Sequence, residues 1–189
     1  TRKASHVLAQ VGQVFDVRPQ DGAVGITGVL HKGRIVLVAD TLVHEWPEAE
    51  DLALIATRGA HVARALGMEP RVAFLSFSTF GHPVSERATK MAEAPKVLDR
   101  QGADFEYEGE MTVDVALNPE AAARYPFSRL TGPANVLVVP ARHSASISVK
   151  LMQEMAGATV IGPILTGVPK PVQICGTGST VNDILNMAA

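Results

Sequence analysis

The feature that most constrains the fold is an alternation of short apolar runs with longer segments of helical spacing. The runs are rich in β-branched residues, have strand length and are bounded by turn or charged residues, which predicts buried strands. They are RIVLVAD (34–40), RVAFLSFS (71–78), NVLVVP (135–140) and ATVIGPIL (158–165). A fifth segment, FEYEGEMTVDVAL (105–117), alternates like a strand only at its start, so its structure stays ambiguous.

Between the strands, helices are predicted from their start and stop signals. One opens at Pro47, with acidic residues in its first turn, and stops at Gly67. Residues 84–101 are predicted to form a charged, exposed helix despite Pro95, residues 146–157 a helix with Gly157 as its end, and the segment after Thr180 another helix.

Strand–helix alternation of this kind predicts an α/β fold with a mixed, mostly parallel sheet flanked by helices. No repeat, low-complexity tract or linker divides the chain, so residues 1–189 are expected to form one domain. The chain begins without Met and stops without a capping Gly or Pro. We therefore expect a domain excised from a longer protein.

Composition limits the classes of partner and compartment. The formal net charge of -2 provides no positive excess for a phosphate backbone, so nucleic acid is not an expected partner. No apolar run reaches membrane-spanning length, so no membrane association is expected. Cys175 is the sole cysteine, which excludes an internal disulfide and suits a cytoplasmic location.

Common catalytic motifs are missing from the sequence. The histidines lack H-x-x-x-H or H-E-x-x-H spacing, so no metal site is predicted. Ser76 and Ser78 lie outside any G-x-S-x-G elbow, and Cys175, at the end of an apolar run, is expected to be a small buried core residue. The turn G-T-G-S-T (176–180) separates an apolar run from a helix but lacks the Lys of a P-loop. Spacing alone supports only a ligand cleft where polar residues follow the strands.

Five motifs, taken in order, resemble the phosphate acetyl/butyryl transferase family. They are ADTLVHEWPEAEDLALIA (39–56), LSFST (75–79), GEMTVDVAL (109–117), PFSRLTGPANVLVVP (126–140) and VIGPILTGVPKPVQI (160–174). The resemblance implies the isocitrate/isopropylmalate-dehydrogenase-like fold of these transferases, with this chain as the later part of that fold.

The same resemblance points to a site that has lost its chemistry. Active members carry a Ser-Arg pair that serves the thiol of coenzyme A and the acyl phosphate; here Gly176 and Thr177 stand at those positions, while Asp183 keeps its place. Phe80 follows LSFST where the family tends to have Lys, and Thr112 stands where Gln is common. The loss of two cations argues against acyl phosphate chemistry, because Arg and Lys stabilise phosphate oxygens as charge shifts.

Overall, the pattern looks most like the phosphotransacetylase-like domain at the C-terminus of large bacterial NADP-dependent malic enzymes. The resemblance implies a non-catalytic regulatory and oligomerisation domain that binds acetyl-CoA as an allosteric effector. Malate decarboxylation, NADP and a divalent metal would belong to another part of the parent chain. An active phosphate acetyltransferase and a purely structural oligomerisation domain remain as alternatives.

The resemblance also implies a candidate acetyl-CoA site and a homo-oligomer. In the family's G-N-I-x-Y-K element the Asn is replaced by Ser146, while Lys150 keeps the basic position. The expected ligand-binding residues share small or polar character and follow predicted strands or begin predicted helices. They are Ser76, Ser78, Thr79, Ser146, Lys150, Gly176, Thr177, Gly178, Ser179 and Asp183.

Overall fold

The computed structural model describes residues 4–15, 22–170, 172–175 and 178–188. The helices and strands of these residues follow one another along the chain in a mixed order. They are α1 (Ala4–Phe15), β1 (Val24–His31), β2 (Arg34–Ala39), α2 (Ala49–Ala65), β3 (Arg71–Leu75), α3 (Glu86–Gln101), β4 (Glu106–Met111), α4 (Val113–Leu117), α5 (Pro119–Ala122), β5 (Val136–Val138), α6 (Arg142–Ala156), β6 (Thr159–Thr166), β7 (Val172–Gln173) and α7 (Val181–Ala188).

The chain divides into two compact units. The first unit comprises Thr1–Glu45 and Ala141–Ala189, and the second comprises Trp46–Pro140. The predicted α/β fold, with a mixed sheet flanked by helices, is confirmed, and each unit contributes a different kind of strand pairing.

In the second unit the described strands lie in the order β4-β3-β5 and pair in parallel. The register places Phe74 of β3 beside Gly109 of β4 and Val138 of β5. Phe74 and Val138 are fully buried. Near-continuous burial explains why β3 and β5 read as apolar runs rather than as alternating patterns.

Helix α2 begins at Ala49, two residues after the predicted start at Pro47, and ends before Gly67 as predicted. Glu48 and Asp51 form a reciprocal capping box at its start, with the Glu48 N–H donating to Asp51 Oδ2 at 2.9 Å. Gly67, with φ of +76°, follows its C-terminal end. Gly59 lies on the buried face, where a Cβ atom would stand 2.6 Å from Cγ1 of Val136. The helix can pack this close to β5 only because position 59 has no side chain.

The expectation that residues 84–101 form an exposed helix is correct for the helix and wrong for the exposure. Met91, Ala94 and Leu98 of α3 are at most 2% exposed. Their spacing of three and four residues places them on one face of the helix. Charged residues recur along the whole segment, and the apolar face between them is narrow and built partly from alanine, so the sequence suggested an exposed helix.

In the first unit the described strands lie in the order β2-β1-β6-β7, and these neighbours pair antiparallel. Strand β1, which the sequence patterns did not predict, pairs with both β2 and β6, opposing Ile26 to Ala39 and Val24 to Thr166. Helix α1 was also not predicted; its Leu8 joins Leu42 and Leu165 in a buried cluster.

Helix α6 starts at Arg142, four residues before the predicted start, and ends at Gly157 as predicted. Gly157 adopts the left-handed conformation with φ of +62°, which glycine reaches without a Cβ penalty. None of the helices formed by the described residues is long and apolar enough to cross a bilayer.

Candidate functional site

The polar residues that follow β3 form one hydrogen-bonded cluster in the second unit. The Ser78 hydroxyl donates to Oε1 of Glu110 at 2.9 Å and lies 3.2 Å from Oγ of Ser76. Ser78 is fully buried and Glu110 is 2% exposed. Because parallel strands bring their carboxyl ends to one edge, the end of β3 meets the end of β4 here. The structure therefore brings Ser76 and Ser78 together, and Thr79 lies in the same loop.

Thr79 extends the cluster toward the start of α4. Its Oγ1 lies 3.2 Å from Oγ1 of Thr112 and accepts the backbone N–H of Thr112 at 3.1 Å. The side chains of Thr79 and Thr112 thus connect the loop after β3 to the loop after β4. Thr112, noted in the sequence as a departure from a more common Gln, takes part in this pairing.

The loop after β3 is held mainly by Glu110. Its carboxylate accepts the Gly81 N–H at 2.7 Å, and its backbone carbonyl accepts the Phe80 N–H at 2.9 Å. Thr79 and His82 exchange backbone hydrogen bonds across the turn. Sequence reasoning missed Glu110, since the residues that it contacts lie about thirty positions away along the chain.

Phe80 belongs to an aromatic cluster on the surface of the second unit. Its ring centroid lies 4.8 Å from that of Phe127 and 5.3 Å from that of Tyr125. Phe80 has φ of +49°, an uncommon conformation for a residue with a Cβ atom. Phe127 is 65% exposed, so one side of the cluster is open to solvent.

Arg129 fastens the loop that carries Phe127. Its backbone N–H donates to Oε2 of Glu108 at 3.0 Å and its guanidinium to Oδ1 of Asp99 at 2.7 Å. The guanidinium also lies 4.6 Å from the ring centre of Tyr107. The hydrogen bond from the Tyr107 hydroxyl, assisted by Arg129, lowers the pKa of Asp99. Burial, followed by the Asp99 carboxylate, raises the pKa of Tyr107.

The other predicted ligand-binding residues lie in the first unit. Ser146 and Lys150 are exposed and four positions apart on α6, hence on one side of that helix. Gly178 and Ser179 precede α7. Gly176 and Thr177 lie outside the described residues, as does the side chain of Asp183, whose backbone is in α7. The assignment of these residues to a ligand stays a prediction.

A second buried carboxylate, Asp40, organises the turn after β2 in the first unit. It accepts the backbone N–H groups of Gly25 at 3.0 Å and Leu42 at 2.7 Å. It also accepts the backbone N–H of His44 at 2.7 Å and lies 2.7 Å from Nδ1 of that ring. With its oxygens occupied by these partners and 2% of its surface exposed, Asp40 orders a loop in the structure.

The single cysteine lies after the short strand β7. Cys175 is exposed, so the expectation that it is a small buried core residue is wrong. The apolar run that suggested burial ends in the short strand β7, which pairs along one side with β6.

Among the described residues, no group of three or more His, Cys, Asp or Glu side chains is placed to hold a metal ion.

A family model described as "Phosphate acetyl/butaryl transferase" matches residues 1–189. The chain belongs to this family. The NADP-dependent malic enzyme of Rhizobium meliloti is 52% identical over 189 residues, covering 100% of this chain and 25% of that protein. The phosphate acetyltransferase of Thermoanaerobacterium thermosaccharolyticum is 40% identical over 157 residues, covering 82% of this chain and 48% of that protein. A phosphotransacetylase from Streptococcus pyogenes has a TM-score of 0.89 at 30% identity, covering 99% of this chain and 58% of that one.

The matches include most of this chain but only part of each relative. The chain spans a quarter of the length of the malic enzyme and about half that of the phosphate acetyltransferase. The family model spans both units, and so includes the Ser76–Thr79 loop and strand β4, which carries Glu110.

Proposed function

We propose that this chain is a non-catalytic regulatory and oligomerisation domain of an NADP-dependent malic enzyme, and that it binds acetyl-CoA as an allosteric effector. Identity of 52% over the whole chain, with a quarter of the relative's length matched, supports its place within a larger protein of that kind. Conversion of malate to pyruvate and CO2, with NADP and a divalent metal, would then take place in another part of a cytoplasmic parent protein.

The main support for a non-catalytic domain is that two basic residues of active family members are replaced by uncharged residues in this chain. Thr177 stands where active members have Arg, and Phe80 where they tend to have Lys. In the structure Phe80 packs against Tyr125 and Phe127, so this position supplies aromatic surface in place of positive charge. An acyl phosphate carries negative charge that a phosphate acetyltransferase site must stabilise, and these side chains cannot do so.

Binding of acetyl-CoA is supported by a lysine and a helix start in the first unit and by hydroxyl groups in the second. In the first unit Lys150 is exposed on α6 and makes no ion pair with the described residues. Gly178 and Ser179 lie ahead of α7, where backbone N–H groups of a helix start are available to an anion. In the second unit Ser76 to Thr79 present hydroxyl groups at the end of β3.

Oligomerisation is supported by exposed apolar side chains in the first unit. Ile147, Leu151 and Met155 recur every four residues along α6 and are 65%, 58% and 80% exposed. On α7, Val181 and Leu185 are 73% and 61% exposed. Exposed apolar side chains at helical spacing are a common sign of a protein interface, and a second copy of this chain is the occupant we propose.

The alternative of an active phosphate acetyltransferase draws support from the 40% identical relative of that name. A thiol-release assay with acetyl-CoA and inorganic phosphate, in which transfer of the acetyl group to phosphate frees the thiol of coenzyme A, separates the two functions. We expect no release above background, whereas turnover near the enzyme median of about 10 per second would overturn the regulatory proposal.

Calorimetric titration of acetyl-CoA into the chain tests the effector. Saturable binding supports the regulatory proposal. Absence of binding, together with stable self-association, would leave a purely structural oligomerisation domain as the better description.

A further inference from the structure

A cavity in the second unit is not used by the site described above. Its volume is about 260 Å³, and it lies between the α4–α5 segment and the loop that leads to β5. Its walls are largely apolar and include several proline and alanine residues. They include Asn118, Ala123, Tyr125, Ser128, Leu130 and Thr131.

The volume accommodates a heterocyclic ring rather than a whole cofactor. Pockets that hold drug-sized molecules have volumes of about 300–1,000 Å³. This cavity is smaller, so it has room for only part of such a molecule. Tyr125 lines it, and the Tyr125 ring is supported by Phe80 at 5.3 Å and by Phe127 at 6.1 Å. Aromatic rings held in this way offer a stacking surface for a planar heterocycle.

One wall residue has a free polar group of the right kind. Asn118 accepts the Glu120 N–H at 2.9 Å through Oδ1, and its amide nitrogen makes no hydrogen bond with the residues that the structure describes. A carbonyl oxygen has a second lone pair, so Asn118 can still accept one hydrogen bond and donate two. A donor beside an acceptor on one side chain is the pattern that pairs with the N6 and N7 edge of adenine.

The walls are fixed before a ligand arrives. Thr131 donates to Glu106 twice, through its backbone N–H at 2.9 Å and its hydroxyl at 2.7 Å. The Ser128 hydroxyl oxygen accepts the Leu130 N–H at 3.4 Å. A site whose loops are already ordered loses less entropy on binding.

We infer that this cavity binds the adenine ring of an adenine nucleotide. The inference rests on the proposed function, because acetyl-CoA carries an adenine ring; NADP carries the same ring. Adenine would insert against Tyr125 with its amino edge on Asn118, leaving its ribose and phosphates outside the cavity.

Two substitutions test the cavity without touching the core. Ala123→Leu fills the space from an exposed position and should weaken nucleotide binding about ten-fold or more by excluding the ring. Asn118→Ser keeps a neutral helix-capping oxygen but removes the amide, and should weaken binding about two- to ten-fold. Ala65→Leu, the same change at the exposed last residue of α2, is the matched control. Thermal unfolding checks that each variant folds like the wild type.

The full chain and its variants are titrated calorimetrically with acetyl-CoA, NADP and acetyl-pantetheine, which lacks adenine. Weaker acetyl-CoA binding by both variants, with acetyl-pantetheine and the control unchanged, supports the inference. Wild-type binding of acetyl-CoA with unchanged affinity in both variants overturns the inference and leaves the proposed effector intact. Binding of NADP alone, weakened by both variants, supports the adenine cavity and overturns acetyl-CoA as the ligand. No binding of either nucleotide overturns both proposals.

Discussion

The Ser78 hydroxyl donates to the carboxylate of Glu110 across a distance of 2.9 Å, and both side chains are buried. Glu110 stands near the end of β4, and Ser78 follows the end of β3, so the hydrogen bond joins the loops of two neighbouring parallel strands. A buried carboxylate is costly unless hydrogen bonds satisfy its oxygens. Here the hydroxyl of Ser78 and the N–H of Gly81 meet that requirement on one oxygen.

Replacement Ser78→Ala should therefore lower the free energy of unfolding by about 1–3 kcal/mol, because it removes a donor from a buried charged group. Urea unfolding followed by circular dichroism measures the change. Ser148→Ala, at an exposed position of α6, is the control and should alter stability by less than about 0.5 kcal/mol. Equal effects at the two positions would show that Ser78 does not stabilise Glu110.

Gly59→Ala tests the close packing of α2 on β5. Helix propensity alone would stabilise the protein by about 0.5–1 kcal/mol, whereas inserting a methyl group into a packed core costs about 1–3 kcal/mol. Since the new Cβ atom would stand 2.6 Å from Cγ1 of Val136, we expect the packing cost to dominate and stability to fall. In the Val136→Ala background the same substitution should become neutral or stabilising, and a double-mutant cycle by urea unfolding measures this coupling. Additive effects would contradict the packing argument.

Several strands and helices could be predicted from the sequence because apolar runs and end signals coincide there. Strand β1 could not, because Gly25 and Gly28 interrupt its apolar run and weaken the strand pattern. The structure gives a reason for Gly25, where a Cβ atom would collide with Leu42 in the turn organised by Asp40. A requirement imposed by a distant turn leaves no local trace except the glycine itself.

The candidate site was predictable only in part. Ser76, Ser78 and Thr79 were identified because polar residues at strand ends are locally visible in the sequence. Glu110 and the aromatic partners of Phe80 were missed, because they come from positions about thirty to fifty residues away and only the parallel register of β3 and β4 brings Glu110 close. The exposed apolar face of α6 was missed for another reason, since helical spacing does not distinguish a face covered by the core from one left open.

The Asp99, Tyr107 and Arg129 contacts predict an acid-dependent contribution to stability. The pKa of Asp99 is held below its ordinary value of 3.8, mainly by the hydrogen bond from Tyr107 and further by Arg129. A depressed pKa stabilises the fold above the unfolded-state value and loses that effect as pH falls through the folded-state value. Because Asp99 and Arg129 are 49% and 44% exposed, the contribution should be about 0.2–1 kcal/mol.

Urea unfolding of wild type and Asp99→Asn between pH 7 and pH 2.5 measures this contribution. The stability difference should be full at pH 7 and should shrink below pH 3.8. Tyr107→Phe, which removes the largest cause of the shift, should show a weaker pH dependence than the wild type. A difference between wild type and Asp99→Asn that stays constant over the whole range would contradict the assignment.

Leu151→Glu should disrupt self-association. Leu151 is 58% exposed on α6 between Ile147 and Met155, so the change introduces a charge into the proposed interface without disturbing the described core. Burying an unpaired charge costs several kcal/mol, which corresponds to at least about a hundred-fold weaker association. Light scattering at micromolar concentration measures the mass, and Gln153→Glu, exposed on the same helix, is the control. A monomeric wild type, or a variant that associates as well as the control, would contradict this interface.

Lys150→Ala should weaken acetyl-CoA binding if the lysine holds a phosphate of the ligand. The side chain is exposed, lies one turn after Ser146 on α6 and forms no ion pair with the described residues, so its charge is available. Loss of a charge-assisted hydrogen bond of about 1.5–3 kcal/mol corresponds to a roughly ten- to hundred-fold rise in Kd. Calorimetric titration measures this, with Lys96→Ala as a control, because Lys96 is 60% exposed but already paired with Glu93. Raising the salt concentration should reduce wild-type affinity more than that of Lys150→Ala, since screening acts on the charge that the variant has lost. Equal affinity and equal salt dependence in wild type and Lys150→Ala would remove Lys150 from the binding site.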